Sequence, residues 1–305
     1  MNSSNNNKTF EEPLPGVSWC AVKMSADNGF KELAKKEGYH PLDIEDCYHK
    51  RQNAKVTDRE NYVFIVAKAA RYDLKNLTIR FDDLDIFVKP DSLVTVEEYP
   101  GTLVGRVCKR FPESSAKNPD VSRVVYTILD EIIDEYLSSL DNIGESIHGL
   151  ESEVWKRPSP ELLERIFKIK RALIDFRRNA GGMRELISLL IRHPHIKTDG
   201  ELENYYRDLY EHSIRVIEFV ETYRDVLSGS LEVYLSAVAN RTNETTKILA
   251  GYGTVALPFL IVTGLYGMNI PLPFQHSPHS FLIVATSMMI LGVGALIYFK
   301  KKDWV

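Results

Sequence analysis

Residues 248–299 read ILAGYGTVALPFLIVTGLYGMNIPLPFQHSPHSFLIVATSMMILGVGALIYF, and these 52 residues contain no Asp, Glu, Lys or Arg. They hold two apolar runs of 19 residues, 248–266 and 281–299. A helix of roughly 20 such residues spans the hydrocarbon of a bilayer. Soluble helices are usually shorter and keep one polar face, which disfavours a buried hairpin in a soluble core. The stretch therefore predicts two transmembrane helices joined by a short loop.

The charges that flank these runs predict an orientation. Arg241 and Lys247 precede the first run, three lysines at 300–302 follow the second, and the loop between the runs carries no charge. Positive residues stay on the cytoplasmic side of a membrane. We therefore expect a multi-pass protein of the cytoplasmic membrane, with both termini cytoplasmic and the loop outside.

Composition excludes several function classes. The chain of 305 residues has a net charge of −4, which argues against nucleic acid as a partner. Three widely spaced cysteines, at 20, 47 and 108, indicate reduced thiols rather than a disulfide framework or a zinc knuckle. The polar segment 1–16 lacks the apolar core of a signal peptide, and we expect it to be disordered.

Motifs of catalysis are missing as well. The stretch HPLDIED at 40–46 contains a histidine and acids, but no nucleophile elbow, phosphate loop or metal-ligand spacing accompanies them. His40 and Asp43 are interpreted as turn and capping residues. The sequence therefore does not predict an enzyme.

Before the apolar stretch, the chain changes from strand patterns to helix patterns. Residues 17–115 predict a compact α/β domain. Its β-rich runs are YVFIVAKAARY, LTIRF, LDIFV and SLVTVEEY, and its short helices are FKELAKKEGY and PLDIEDCYH. Helical spacing then predicts helices over 120–156 and 160–193, separated by prolines at 158 and 160. A third helix is expected from Glu201 to Gly267, on the order of 100 Å long at 1.5 Å per residue.

These patterns give four predicted regions. They are the disordered segment 1–16, the α/β domain 17–115, the helical region 116–245 and the transmembrane region 246–305. Acids and bases number nine and two over 120–156, four and eight over 161–193, and nine and four over 201–245. The basic middle helix can thus pair with two acidic neighbours, while surplus carboxylates can instead concentrate cations.

Small residues recur every seven positions along the long helix. One seam is Glu232, Ala239, Thr246, Gly253, Leu260 and Gly267, and its companion is Ser236, Asn243, Ala250, Leu257 and Gly264. Small residues allow close helix packing in lipid, or they leave space for a water-filled lumen when several copies surround an axis. Two spans per chain cannot enclose a pore, so a transport function demands an oligomer.

The outer end of this helix carries Tyr266-Gly-Met-Asn269, which on its own can be a simple helix end. Together with the two terminal spans, the chain resembles the CorA-type divalent metal ion channels and transporters, whose signature is Gly-Met-Asn after the first span. The resemblance covers nearly the whole chain, through HPLDIEDCYH, ENYVFIVAK, YRDLYEH, LEVYLSAVANRTNE, GLYGMN and YFKKKDWV.

The resemblance implies an α+β membrane protein with an N-terminal cytoplasmic α/β domain, a long helical funnel, two C-terminal transmembrane helices and a homopentameric assembly. It implies a selectivity filter at Gly267, Met268 and Asn269. It implies a pore lining and gate at Glu232, Asn243, Thr246, Leu249, Gly253, Leu257 and Leu260. At one of these positions the resemblance indicates Leu249, whereas the seven-residue spacing indicates Ala250. It implies regulatory Mg²⁺ at Asp208, with Glu211 and His212 nearby and Asp73 as a less certain partner.

The expected cargo is Mg²⁺, with Co²⁺ and Ni²⁺, and the partners are the lipid bilayer and further copies of the chain. Many similar proteins carry a glutamate in the outer loop, whereas this loop has His276 and His279 instead. Since zinc-transporting relatives share Gly-Met-Asn, a Zn²⁺ transporter is the alternative. A membrane-anchored sensor or scaffold is the alternative from another class. The final lysines are interpreted as interfacial anchors with Trp304, or as a basic collar around the pore.

Overall fold

The computed structural model describes residues 10–14, 17–23, 29–49, 52–97, 103–110, 120–156, 158–196, 200–269 and 278–301. The chain divides into two compact units, Met1–Leu231 and Glu232–Val305. Each unit is built from a different kind of apolar pattern. The first alternates strands and amphipathic helices, and the second contains the two long apolar runs.

Strands of the first unit form one mixed sheet in the order β1-β2-β6-β5-β4-β3. Their bounds are β1 Phe10–Leu14, β2 Val17–Lys23, β3 Lys55–Asp58, β4 Val63–Asp73, β5 Thr78–Val88 and β6 Ser92–Glu97. Strands β2 and β6 run parallel, and every other neighbouring pair is antiparallel. The hairpin β4–β5 pairs Val63 with Val88 and Asp73 with Thr78, so its eleven-residue strands form the spine of the sheet.

Five helices lie wholly in the first unit: α1 Gly29–Glu37, α2 Pro41–Tyr48, α3 Leu103–Arg110, α4 Val121–Lys156 and α5 Pro160–Ile191. The helix α6 extends from Glu201 to Tyr266, so it begins in the first unit and ends in the second. The last helix, α7, spans Ser280–Lys301.

The core of the first unit surrounds β4. Every residue from Val63 to Lys68 is buried, as expected for a strand covered on both faces. Phe64 and Val66 pack in one cluster with Phe30 and Ala34 of α1, and Phe87 joins them from β5. The helices α4 and α5 also pack on β4. Apolar packing from both sides therefore fixes the sheet.

A buried ionic network joins α2 to the segment between β3 and β4. His40 caps α2 as predicted, because its Nδ1 accepts a hydrogen bond from the Leu42 amide at 3.2 Å. Asp43 does not act as a cap, which corrects the prediction. It lies buried in the first turn and accepts hydrogen bonds from Arg59 Nε at 2.9 Å and Tyr62 Oη at 2.6 Å. Burial alone would raise the pKa of Asp43, but these donors and the Arg59 charge lower it.

Ion pairs between the long helices match the sorting of charge in the sequence. The basic helix α5 pairs with α4 through Arg165 and Glu153, whose side chains are 2.6 Å apart. It pairs with α6 through Arg177 and Glu221. A buried hydrogen bond from Tyr206 Oη to the Ser122 carbonyl, at 3.0 Å, joins the start of α6 to the start of α4.

The second unit contains the rest of α6 and all of α7. Both helices are long and apolar enough to cross a membrane, with mean hydropathies of 1.9 and 2.2 over their most apolar windows, and only 6% of each window is buried inside the protein. The predicted spans 248–266 and 281–299 lie within α6 and α7. They are the candidate membrane-spanning segments.

Sequence predictions for the other helices are confirmed, since α4 and α5 match the predicted 120–156 and 160–193 within two residues. Two strand predictions need correction. LTIRF and LDIFV form the single strand β5, because its polar centre pairs with β4. The expected disorder of 1–16 is wrong for Phe10–Leu14, which pairs with β2. The bounds of the other three predicted regions stay predictions.

Candidate ion pathway and metal-binding residues

The Gly-Met-Asn segment forms a turn at the end of α6. Gly267 donates its amide to the Thr263 carbonyl at 2.9 Å, and Met268 donates to the Leu265 carbonyl at 3.1 Å. Asn269 follows with an exposed side chain. The helix therefore continues its hydrogen bonding through Gly267 and Met268 and presents the Asn269 amide just beyond its end.

Glycine at position 267 is explained by close approach rather than by a left-handed backbone. A Cβ atom there would lie 3.2 Å from the Thr263 carbonyl oxygen and 3.5 Å from that of Gly264. Among the described glycines, positive φ angles occur at Gly38 and Gly200, not here. A larger residue would press on the last carbonyls of the helix and shift the turn that holds Asn269.

The predicted pore-lining residues and the two seams of small residues and leucines form one stripe, which lies on an exposed side of α6. Between residues 246 and 266, Gly251 is buried and Val255, Phe259 and Val262 are half-buried, so these positions mark the side that the chain covers. At 3.6 residues per turn, the predicted lumen positions lie on roughly the opposite side. They are all exposed, as in Leu249 at 66%, Leu257 at 57% and Leu260 at 69%, and in Thr246 and Gly253.

The covered side of α6 meets α7 at a glycine that the sequence did not single out. A Cβ atom on Gly292 would lie 2.6 Å from Cζ of Phe259. The Phe259 ring therefore rests directly on the α7 backbone, in the small-residue packing typical of membrane helices. By contrast, a Cβ atom on Gly253 or Gly264 of the stripe would meet no described atom within 4 Å. Close packing within the chain thus uses Gly292 and leaves the stripe open.

Two polar positions come earlier in α6, before its apolar run. Asn243 and Glu232 are exposed, and the side-chain amide of Asn243 forms no hydrogen bond with the residues that the structure describes. Thr246 differs, because its hydroxyl donates to the Thr242 carbonyl at 2.9 Å. The amide of Asn243 is thus available to water or to another copy of the chain.

The predicted regulatory residues on α6 border an acidic cluster on α4. His212 Nε2 lies 3.8 Å from Asp208 Oδ1, and the Asp208 side chain is 59% exposed. The facing carboxylates Asp130, Glu131 and Asp134 share Arg110, whose Nη1 lies 3.1 to 3.6 Å from each of them. Arg106 also pairs with Glu131, so two guanidinium groups serve these three acids.

Burial is the largest cause of the pKa shifts in this cluster. Burial raises the pKa of Asp130, repulsion from Asp134 raises it further, and the attraction of Arg110 does not compensate. Burial likewise raises the pKa of Asp134. A cation close to Asp208 would be attracted by these carboxylates. Within the described ranges, however, no three His, Cys, Asp or Glu side chains are arranged to hold a metal ion.

Asp73 has a structural role that the sequence did not reveal. Its Oδ1 accepts the amides of Lys75 at 2.9 Å and Asn76 at 3.1 Å, and its Oδ2 accepts Asn76 Nδ2 at 2.7 Å. The pKa of Asp73 is lowered, first by the side chain and amide of Asn76. This carboxylate closes the β4–β5 turn, and its predicted part in a metal site stays a prediction, like those of Glu211 and Asp208.

The outer loop is only partly described. His276 lies outside the described residues, and His279 is exposed just before α7. Lys300 and Lys301 occupy the last turn of α7, while Trp304 lies outside the described residues. The interpretations of these histidines and lysines stay predictions.

An N-terminal α/β unit and two long helices with apolar runs, α6 and α7, define a membrane protein with a large extramembrane part. The family described as CorA-like Mg2+ transporter protein matches residues 15–301, and the chain belongs to it.

Similar proteins agree. The "Cobalt/magnesium transport protein CorA" of Thermotoga maritima is 33% identical over 275 residues, which are 88% of this chain and 77% of the relative. The complete structure of the CorA magnesium transporter from Methanocaldococcus jannaschii superposes with a TM-score of 0.82 at 25% identity, covering 95% of this chain and 92% of that one. The ZntB cytoplasmic domain from Vibrio parahaemolyticus covers 76% of this chain and 91% of its own, with a TM-score of 0.62 at 12% identity, which shows the fold alone.

Proposed function

We propose that this protein is a channel or transporter for divalent metal cations, with Mg²⁺ as the main cargo and Co²⁺ and Ni²⁺ as further cargo. The observation that carries the proposal is the exposed Asn269 amide just beyond the charge-free run 248–266 at the end of α6. The names of the Thermotoga maritima and Methanocaldococcus jannaschii relatives support Mg²⁺ and Co²⁺ as cargo.

An amide suits a hydrated Mg²⁺ ion. Mg²⁺ sheds its octahedral water shell reluctantly, so a filter that had to strip it would be slow. Amide oxygens of Asn269 from several copies accept hydrogen bonds from the bound waters and leave the shell in place. A ring of carboxylates would hold the ion too strongly for release, whereas conduction needs sites that ions leave. Gly267 and Met268 shape the turn that presents this amide.

The pathway requires several copies of the chain, and we take the assembly to be a homopentamer, as the family resemblance implies. The support in this chain is the uncovered stripe of α6. In the assembly, Leu257 and Leu260 form an apolar constriction that closes by dewetting. Thr246 and Asn243 offer neutral oxygens below it, Gly253 and Leu249 line the wall, and Glu232 attracts cations at the inner end.

Regulation by Mg²⁺ is assigned to Asp208, with Glu211, His212 and Asp73 as further donors. Carboxylate oxygens are the ligands that Mg²⁺ prefers, and the side chains of Asp208 and Glu211 are exposed. Because one chain provides no complete set of ligands among its described residues, the site needs donors from a second copy. Bound Mg²⁺ would offset the repulsion among the acids and favour the closed assembly.

The protein is assigned to the cytoplasmic membrane with both termini inside. The support is the distribution of Arg241, Lys247 and the lysines at 300–302 around a charge-free loop. Under this assignment the first unit senses cytoplasmic Mg²⁺, and Asn269 meets the ion from outside.

Uptake of Mg²⁺ into vesicles that contain purified protein tests the proposal. Asn269→Ala should abolish most uptake, and Asn269→Asp should bind the ion but release it slowly. Thr286→Ala is the control, because this exposed hydroxyl on α7 donates only to the Leu282 carbonyl of its own helix. Uptake by Asn269→Ala equal to that of the control would reject Asn269 as the filter. Wild-type uptake no greater than in protein-free vesicles would show that the chain is a tether rather than a pore.

The same vesicles address the alternative, a Zn²⁺ transporter. Initial rates are compared for Mg²⁺, Co²⁺, Ni²⁺ and Zn²⁺, with and without a pH gradient. Uptake of Mg²⁺ that competes with Co²⁺ and Ni²⁺ and ignores the gradient supports the proposal. Transport of Zn²⁺ alone would replace it.

A further inference from the structure

A basic groove lies between α5 and α6 within the first unit. Its volume is about 630 Å³, in the range of pockets that hold small ligands. Five cationic side chains line it: Lys170, Arg177, Arg178, Arg184 and Arg224. In a chain with a net charge of −4, this is a local concentration of the opposite sign.

Nearby acids neutralise only part of this charge. Glu221 pairs with both Arg177 and Arg224, and Asp175 lies 3.5 Å from Arg178. Within the described part of the chain, neither Lys170 nor Arg184 forms an ion pair with a carboxylate. Five cations thus face two acids, and the surplus of three positive charges suits a multiply charged anion.

The groove also has an apolar part. Ile174, which is 56% exposed, and the half-buried Ile217 belong to its lining. Gly181 lies in the same lining, and a Cβ atom there would meet no described atom within 4 Å. The missing side chain keeps the groove open, although glycine inside a helix is less favourable than alanine.

We propose that this groove binds a nucleoside polyphosphate, with the phosphates on the cationic side chains and the base on the isoleucines. Arginine forms paired hydrogen bonds to phosphate oxygens and stacks on planar rings, and four of the five cations are arginines. A simple phosphate would leave the isoleucines uncovered. This inference does not depend on the proposed transport function.

Isothermal titration of the full-length protein in detergent micelles tests it, with EDTA present to remove metal. The probes are ATP, tripolyphosphate and adenosine. ATP should bind more tightly than tripolyphosphate, and adenosine should bind weakest. Equal binding of ATP and tripolyphosphate would reject the contact with the base, and the absence of binding by either would reject the site.

Charge variants locate the binding. The double variant Lys170→Gln/Arg184→Gln should weaken ATP at least about tenfold, since each hydrogen bond to a charged group contributes measurably. The matched control is Lys75→Gln/Arg80→Gln, which removes the same charges from the exposed β4–β5 hairpin. Equal weakening in both variants would indicate general electrostatic attraction and overturn the assignment.

Shape provides an independent test. Gly181→Leu places a side chain in the groove, while Gly149→Leu changes a glycine of α4 whose Cβ atom would also meet no described atom within 4 Å. We expect loss of ATP binding only for Gly181→Leu.

Light scattering tests another occupant of the groove. If neither ATP nor tripolyphosphate binds, and the double charge variant changes the mass of the assembly, the groove holds an acidic surface of another copy, and the nucleotide proposal is wrong.

Discussion

Replacing Asp43 by asparagine removes the charge at the centre of the network that joins α2 to the β3–β4 region. Asp43 is 1% exposed, and it accepts three hydrogen bonds: from Arg59 Nε at 2.9 Å, from Arg59 Nη2 at 2.5 Å and from Tyr62 Oη at 2.6 Å. Tyr62 Oη in turn accepts the His40 amide at 2.7 Å. Asparagine keeps one carbonyl oxygen and loses the paired, charge-assisted contact with Arg59.

The free energy of unfolding should fall by about 2 kcal/mol. A hydrogen bond to a charged group contributes roughly 1.5–3 kcal/mol net, and the asparagine oxygen retains one neutral bond. Removing one partner of a fully buried pair costs about 3–5 kcal/mol, because the other charge is stranded. The Arg59 side chain is 27% exposed and reaches water, so the cost stays below that range.

The sign of the pH dependence follows from the lowered pKa of Asp43. The unfolded carboxyl titrates near 3.8, and the folded one titrates lower. The network therefore stabilises the fold fully above the unfolded pKa, and this contribution disappears as the pH falls through the folded pKa. The difference between wild type and Asp43→Asn should be largest at neutral pH and shrink below pH 3.8.

Hydrogen exchange of the full-length protein, measured by mass spectrometry with chelator present, provides the assay. A loss of 2 kcal/mol lowers protection about 30-fold in peptides that cover β3 and β4, with little change in α7. The control is Asp46→Asn, whose partner Lys55 is 35% exposed and whose loss should cost less than about 1 kcal/mol. Equal protection in the two variants, or a difference that does not shrink in acid, would refute the reasoning.

Two further substitutions test other parts of the molecule. Gly292→Ala should lower the melting temperature in micelles, because its Cβ atom would lie 2.6 Å from the Phe259 ring, whereas Gly294→Ala meets no described atom within 4 Å and should not. Phe259→Ala should relieve the effect of Gly292→Ala, and an unrelieved loss would contradict this contact. Asp208→Ala should leave Mg²⁺ flux running at high internal Mg²⁺, and inhibition identical to wild type would count against the regulatory assignment.

Features set by short-range patterns were predictable from the sequence. The prolines at 158 and 160 and the charge-free runs located α4, α5, α6 and α7 within about two residues, close to the precision of any helix boundary. The strand β1 was not predictable in this way. Its five-residue sequence FEEPL contains a proline and carries no alternation of polar and apolar residues, and it pairs with β2.

For the candidate site as well, local sequence was informative and contacts between distant residues were not. A resemblance in local sequence was enough to single out Asn269, because the motif lies at the end of an apolar run. Contacts between distant residues were not visible: Asp43 meets Arg59 across 16 positions, and Phe259 meets Gly292 across two helices. Asp73 has a local role that the sequence did not reveal, since its carboxylate closes a turn, and its predicted part in a metal site stays a prediction.

Hydropathy indicates that the apolar end of α6 spans the bilayer, and hydrogen bonding indicates where along the helix water is needed. Thr246 satisfies its hydroxyl on its own helix, so it is stable against either lipid or water. Asn243 and Asn269 have exposed amides that form no hydrogen bond with the residues described here, and an unsatisfied amide in hydrocarbon costs several kcal/mol. Their positions before and after the apolar run therefore mark where water has to reach the helix. Under the proposed function, a hydrated ion follows the stripe of small residues and leucines between these two amides, and further copies of the chain form the rest of the wall.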